Sequence, residues 1–371
     1  MKRYILLILI SLSYGMSSFA MSLRGVVYDV GLKYTPTSLS AERFDTVRVA
    51  YDMNIISRIL RCNSVRIEGD DVDRIVAAAR IASREGLKVF FNPWRMGETP
   101  EATARYLRDA AKKAEALRLQ GYDITFVAGC EYTLFSKGVF PGDTFDERFQ
   151  WFMNLWADPA EQARGIAALN ECNLKLNAVL ADICREIRRE FKGAVSYASG
   201  TWETVDWSLF DIVGIDYYRR GENEEDYAAG LNRYKQYGKP VVVMEVGCCP
   251  YVGASKRGGE AFAIFQGVAP DGTGIYEGGE APERSEKEQA DYIEDVIRIL
   301  DENEAQGVFI FVFAYPIYPY RKTGLDQDLV SYALVKSFPE NDVRNTMLPA
   351  WEPKEAFYRL GEAYSRMQNK N

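Results

Sequence analysis

The stretch Gly238-Lys-Pro-Val-Val-Val-Met-Glu245-Val-Gly247 decides how the chain is read. Pro240 to Met244 is a short run of β-branched and apolar residues, the signature of a strand buried on both faces of a parallel sheet. A carboxylate, Glu245, closes the run and Gly247 breaks it. An acid at the end of a wholly apolar strand is costly unless it has partners or a task. A second stretch has the same design: Asp123-Ile-Thr-Phe-Val-Ala-Gly-Cys130-Glu131-Tyr132. Two buried strands each deliver a glutamate at their C-terminal end.

Around these two stretches, strand and helix patterns alternate without a linker. Strands are expected over 25–30, 64–69, 88–94, 124–128, 194–200, 211–218, 240–245 and 307–315. Helical patterns fall over 41–61, 70–85, 100–120, 170–191, 224–237, 285–303 and 354–367, with Ser285 and Glu288 at capping-box spacing. Eight such strands predict a (β/α)8 TIM barrel, a single α/β domain over 21–371. A doubly wound sheet binding a nucleotide would carry a glycine-rich phosphate turn at a strand–helix junction, and none is present. Long insertions are expected after strand 4 (133–168) and strand 7 (248–284), on the face where barrel active sites form.

Composition narrows the chemistry. The 371 residues hold no histidine, so Ser-His-Asp and Cys-His catalysis and His-ligated zinc are excluded. Acid–base work must come from Asp, Glu, Lys, Tyr or Cys. A net charge of -8 argues against a nucleic-acid partner. Met1-Lys2-Arg3, an apolar run from Tyr4 to Leu12 and Ser18-Phe19-Ala20 predict a cleaved secretory signal over 1–20 and an exported protein with no membrane partner afterwards. The run is shorter than the ~20 residues that span a bilayer. Six cysteines in a chain of this length are not a disulfide framework, and no metal-ligand spacing is present.

In a barrel, strands 4 and 7 lie on opposite sides of the mouth, so Glu131 and Glu245 can face one cleft. Two carboxyls across a cleft are what glycoside hydrolysis needs. The arrangement resembles the clan A retaining glycoside hydrolases, with a glutamate ending strand 4 and another ending strand 7. Val65-Arg66-Ile67 resembles the clan's strand-2 arginine, Val243-Met244-Glu245-Val246-Gly247 its nucleophile strand, and Gly214-Ile-Asp216-Tyr217-Tyr218 its strand-6 segment. The resemblance implies Glu245 as nucleophile, kept ionised by Arg66, and Glu131 as acid/base. It implies a carbohydrate substrate, an oligo- or polysaccharide, and no cofactor or metal. Two positions depart from the pattern. Cys130 stands where the clan has Asn, and strand 8 offers Phe313 or Tyr315 where the clan has Trp.

Further residues at strand ends complete the expected sugar site: Tyr28, Asp29, Arg66, Glu68, Asn92, Trp94, Cys130, Trp202, Asp216, Tyr217, Tyr218 and Tyr315. Aromatic rings suit the apolar faces of sugars, although the same rings also serve cores. Two other readings stay open at this level. One is a catalytically silent carbohydrate-binding barrel. The other is metal-assisted chemistry on the same barrel through Asp29, Glu68 and Asp216.

Overall fold

The computed structural model describes residues 21–34 and 38–369. The expected signal over 1–20 lies outside them. Eight parallel strands close into a barrel. They are β1 (Leu23–Asp29), β2 (Ser64–Gly69), β3 (Lys88–Pro93), β4 (Ile124–Cys130), β5 (Val195–Gly200), β6 (Val213–Asp216), β7 (Val241–Val246) and β8 (Gly307–Ile310). Strands pair in chain order, and β8 returns to β1 with Gly307 opposite Leu23. The helices are α1 (Thr46–Arg58), α2 (Val72–Arg84), α3 (Pro100–Leu119), α4 (Tyr132–Phe135), α5 (Phe145–Asn154), α6 (Gln162–Glu190), α7 (Glu224–Asn232), α8 (Glu286–Glu302) and α9 (Glu355–Gln368).

The local sequence explains these elements. Helices cover the barrel's outside and side chains fill its inside, so Val242, Val243 and Met244 are completely buried. Asp71, Thr99 and Ser285 each start a helix by accepting a backbone N–H of its first turn, which would otherwise lack a partner. The expected capping box at Ser285 is only half made. The Glu288 carboxylate turns away and accepts from the N–H groups of Gly253 and Ser255, pinning the connection before α8.

Three differences from expectation bear on the site. The insertion after β4 is more helical than its pattern implied: α4 and α5 lie inside it, and α6 begins at Gln162 rather than 170. Strand β8 stops at Ile310, short of the expected 315. The chain then makes a third long connection to α9, containing two short antiparallel strands, Val335–Ser337 and Trp351–Pro353. Within it the wholly buried Lys354 and Asp328 pair at 2.8 Å, and Arg284 reaches Asp328 at 3.0 Å. All six cysteines are buried and unbridged. Among the described residues, no helix is long and apolar enough to cross a membrane.

Candidate active site

Both glutamates sit where a strand is bulged. Between β4 and β5 the pairing jumps from Val127–Ser196 to Cys130–Ala198, one residue extra on β4. Between β6 and β7 it jumps from Ile215–Val243 to Asp216–Glu245, one residue extra on β7. A bulge breaks the in–out alternation and re-aims the next side chain. On β4 the extra residue falls at Ala128–Gly129, with Gly129 at φ 98°, and Glu131 just past the resumed pairing is left-handed (φ 39°, ψ 54°). A left-handed non-glycine residue costs on the order of 1 kcal/mol and persists only when its surroundings hold it. Here Glu131 N–H donates to Ala198 O, Tyr132 N–H to the Tyr197 hydroxyl, and Thr133 N–H to the Glu203 carboxylate.

Glu245 is held by donors. Arg66 Nη1 reaches its Oε1 at 2.8 Å, and the Tyr218 hydroxyl donates to Oε2 at 3.3 Å. Arg66 is wholly buried and fixed in turn: Nε donates to Asn92 at 2.8 Å, Nη1 to Met244 O at 3.0 Å, and Nη2 lies 3.2 Å from Glu68. Its neighbours' negative charges hold the guanidinium charged despite burial.

Glu131 has the opposite surroundings. Its carboxyl takes no hydrogen bond from the described residues. Burial, then the charges of Asp216, Glu245 and Glu203, push it well above the usual carboxylate range. Only Arg66 pulls the other way. Burial and like-charged neighbours are the setting in which a carboxyl serves as a general acid.

Glu131 and Glu245 open onto one cleft of about 1300 Å3. Glu68, Trp94, Cys130, Trp202, Asp216, Tyr218 and Tyr315 line it too. Burial raises the carboxyls of Glu68 and Asp216, and the Cys130 thiol, well above their usual values. The thiol lies 3.4 Å from Asp216 and 3.6 Å from Glu245. These three groups come within 4.8 Å of one another. A thiol kept protonated is a poor metal ligand, since metals take the thiolate. Asp29, in the proposed metal set with Glu68 and Asp216, is spent elsewhere. It accepts from Gly31 N–H at 2.7 Å, and burial raises it to about 6.

Five expected sugar contacts are placed off the cleft wall. Tyr28 donates to Asp52, which also takes Trp351 Nε1, in a buried network. Asp29 caps the turn after β1. Arg66 and Asn92 lie behind Glu245 and act through it. Tyr217 points under α7, its hydroxyl on Tyr227 O at 2.7 Å. The strand-8 aromatic in the cleft is Phe311, along with Tyr315, whereas Phe313 is buried against Tyr28 and Trp351. Gly247 allows this: its missing side chain would stand 2.4 Å from the Phe311 carbonyl oxygen. Also unforeseen is an apolar wall beside Glu131, formed by Phe135, Phe145, Phe149 and Phe152 from α4 and α5. The α5 spacing of Phe145, Phe149 and Phe152 was the available signal.

No protein-family model matches the chain, and no curated protein matches it. Solved structures do. A GH113 β-mannanase from Alicyclobacillus acidocaldarius, in complex with ManMIm, aligns at TM-score 0.57 and 15% identity, covering 94% of this chain and 99% of that one. A second GH113 β-1,4-mannanase structure aligns at 0.55 and 15%, covering 93% and 99%. The family 1 β-glucosidase from Thermotoga maritima aligns at 0.54 and 10%, covering 94% and 97%. The likeness at these identities is one of fold: over nearly its whole length the chain folds as the (β/α)8 barrel of these structures.

Proposed function

We propose that the protein is a glycoside hydrolase that cleaves O-glycosidic bonds of an oligo- or polysaccharide by double displacement. The observation that carries this reading is the contrast at the cleft floor. One carboxyl is bound to a buried guanidinium and a phenol, and the other, half-buried, takes no donor from the described residues. Paired carboxyls with opposed environments divide the labour of acid and nucleophile. The mannanase and glucosidase names of the similar folds support a glycosidic substrate.

In the first step a Glu245 oxygen bonds to the anomeric carbon as the bond to the leaving oxygen breaks. Glu131 gives that oxygen its proton. The sugar is then an ester on Glu245. In the second step Glu131, now a carboxylate, takes a proton from water. The water oxygen bonds to the anomeric carbon and the ester bond breaks. Glu245 leaves as a carboxylate and Glu131 is again protonated. Arg66 and Tyr218 favour the charge that Glu245 starts and ends with. The Trp94 and Trp202 faces in the cleft suit sugar rings.

The test is turnover of a panel of aryl glycosides and polysaccharides by the wild type, Glu131→Ala and Glu245→Ala. The reading expects hydrolysis by the wild type, a loss of ~10³-fold or more in Glu245→Ala on every substrate, and the same loss in Glu131→Ala on substrates whose leaving group needs a proton. Variants as active as the wild type would place the chemistry elsewhere. Export after cleavage of 1–20 belongs to the same proposal. Mature protein starting near Met21 supports it, and an intact Met1 on the exported or cell-retained product opposes it.

A further inference from the structure

The aromatic side chains of the cleft differ in kind from one side to the other. Beyond the ends of β1, β6 and β8 it is lined by Tyr34, Tyr218, Tyr315, Tyr318 and Tyr332, with Phe311 among them. Each tyrosine hydroxyl can donate and accept. Beyond β4, the strand before Glu131, it is lined by Phe135, Phe145, Phe149, Phe152, Met153 and Trp156. In the closed barrel β4 and β8 lie across from each other. The phenylalanines touch in series, with ring centres 5.2 Å apart for Phe135 and Phe145 and 5.9 Å for Phe145 and Phe149. The strands flanking β4 extend this wall. Trp94, after β3, lies 5.1 Å from Phe135, and Trp202, after β5, lies 5.6 Å from Phe152.

Several polar groups among these rings are already spent. Trp202 Nε1 donates to the Thr133 hydroxyl at 2.9 Å. The buried Arg148 turns its guanidinium to Leu134 O and Gly142 O. The Thr144 hydroxyl accepts from Glu147 N–H. Charged side chains on this side are Glu98, Lys137, Asp143 and Asp146, of which Lys137 and Asp143 lie 3.9 Å apart. Yet Phe145, Met153 and Trp156 stay 36%, 42% and 41% exposed. Large apolar side chains left in water inside a cleft, with charges near them, mark a surface that a ligand covers. A further sugar ring would carry hydroxyls around its edge, each needing a partner once out of water. The carbon skeleton of an apolar alcohol needs none and gains from leaving water.

We propose that this wall receives an apolar alcohol, the leaving group of the glycoside that the protein cleaves. The acid decides the side. Glu131 must reach the leaving oxygen, so the group on that oxygen lies beside Glu131, and α4 begins at the next residue. The Glu131 proton passes to that oxygen, its bond to the anomeric carbon breaks, and the group departs as a neutral alcohol. The sugar keeps the side of the tyrosines and of Glu245. This rests on the hydrolase reading and narrows it: the oligosaccharide is one carried on an apolar alcohol, and the bond cut is the one to that alcohol.

The test measures kcat/KM for the ethyl and octyl β-glycosides of glucose, galactose and mannose, below micelle-forming concentrations, beside cellobiose, lactose and β-1,4-mannobiose. Ethanol and octanol depart with nearly equal ease, so their ratio reads the wall. A methylene fully withdrawn from water is worth roughly fourfold. For at least one sugar the octyl glycoside is expected to exceed both the ethyl glycoside and the disaccharide by tenfold or more. In the double variant Phe145→Gln, Phe149→Gln the octyl-to-ethyl ratio is expected to fall to about threefold or less. An octyl advantage below tenfold for every sugar overturns the inference, as does one that survives in the folded double variant. If the variant does not fold, the wild-type ratios decide alone. Hydrolysis of the disaccharides alone overturns this inference and keeps the hydrolase reading. If nothing is cleaved, calorimetry with the same glycosides decides. Octyl glycosides that bind tenfold tighter than ethyl ones then keep the wall as a site for an apolar alcohol and count against the hydrolase reading. Equal binding, or none, overturns the inference.

Discussion

The ends of β4 and β7 are built alike and finish differently. Each is an apolar strand with a bulge before a glutamate. At β7 the fold brings a buried arginine, itself held by Asn92 and the Met244 carbonyl, and a phenol to the carboxylate. At β4 it spends its hydrogen bonds on the backbone around Glu131 and leaves the carboxyl itself without a donor. The same residue type thus meets hydrogen-bond donors at one strand end and only burial and like charges at the other. What differs is the partner supplied by neighbouring strands, not the strand sequence.

The comparison breaks most visibly if either acid is removed. Glu245→Ala is expected to lose ~10³-fold or more in kcat on every substrate. Glu131→Ala is expected to match that loss only where the leaving group needs a proton, so activated aryl glycosides should show a smaller drop in the first step. Equal losses across leaving groups of different acidity would remove Glu131 from the acid's role.

Arg66→Met attacks the β7 side alone. It strands the buried Glu68 and the half-buried Glu245 carboxyls without their cation. Breaking a buried ion pair costs ~3–5 kcal/mol, read by denaturant unfolding. Turnover in the folded fraction should fall by roughly 10²-fold. Unchanged unfolding would show that Arg66 is not their shared counter-charge.

Asp216→Asn sharpens the β4 side through pH. Asp216 is the first of the charges that raise Glu131, after burial itself. Removing it lowers the pH at which Glu131 gives up its proton. Protonated Glu131 is the active form, so the alkaline limb of kcat/KM should move to lower pH. An alkaline limb that stays put would assign it to another group. The smallest effect is expected from Tyr197→Phe, which loosens the left-handed turn at Glu131 by deleting the hydroxyl shared by Tyr132 N–H and Glu203. A loss of ~1–3 kcal/mol in unfolding and a few-fold loss in kcat are expected.

The barrel was legible because parallel strands buried on both faces must be apolar throughout, and seven of the eight run close to their expected bounds. Glu131, Glu245, Arg66 and Tyr218 were legible as residues at strand ends. Their neighbours were not, because side chains alternate along a strand and sequence does not mark which face is inner. Tyr217 and Tyr218 are adjacent, but only Tyr218 reaches Glu245 while Tyr217 anchors under α7. At strand 8 the early stop at Ile310 brought Phe311 into the cleft rather than Phe313, and no residue pattern announces that stop. The connection after β8 has almost no periodicity, so its buried Lys354–Asp328 pair was invisible beforehand. Glu203 lies in the turn after β5 with nothing in sequence to tie it to Thr133 and Tyr197.

The most direct test of the division of labour uses Glu131→Ala with an aryl glycoside whose leaving group departs unaided. With the base missing, the second step stalls and the sugar should accumulate on the enzyme. Rapid quenching and peptide mass spectrometry should then find one glycosyl unit on the peptide at Glu245, after a burst of one aryl product per active site. A glycosyl unit on any other residue, or steady turnover with no covalent sugar, would contradict the account.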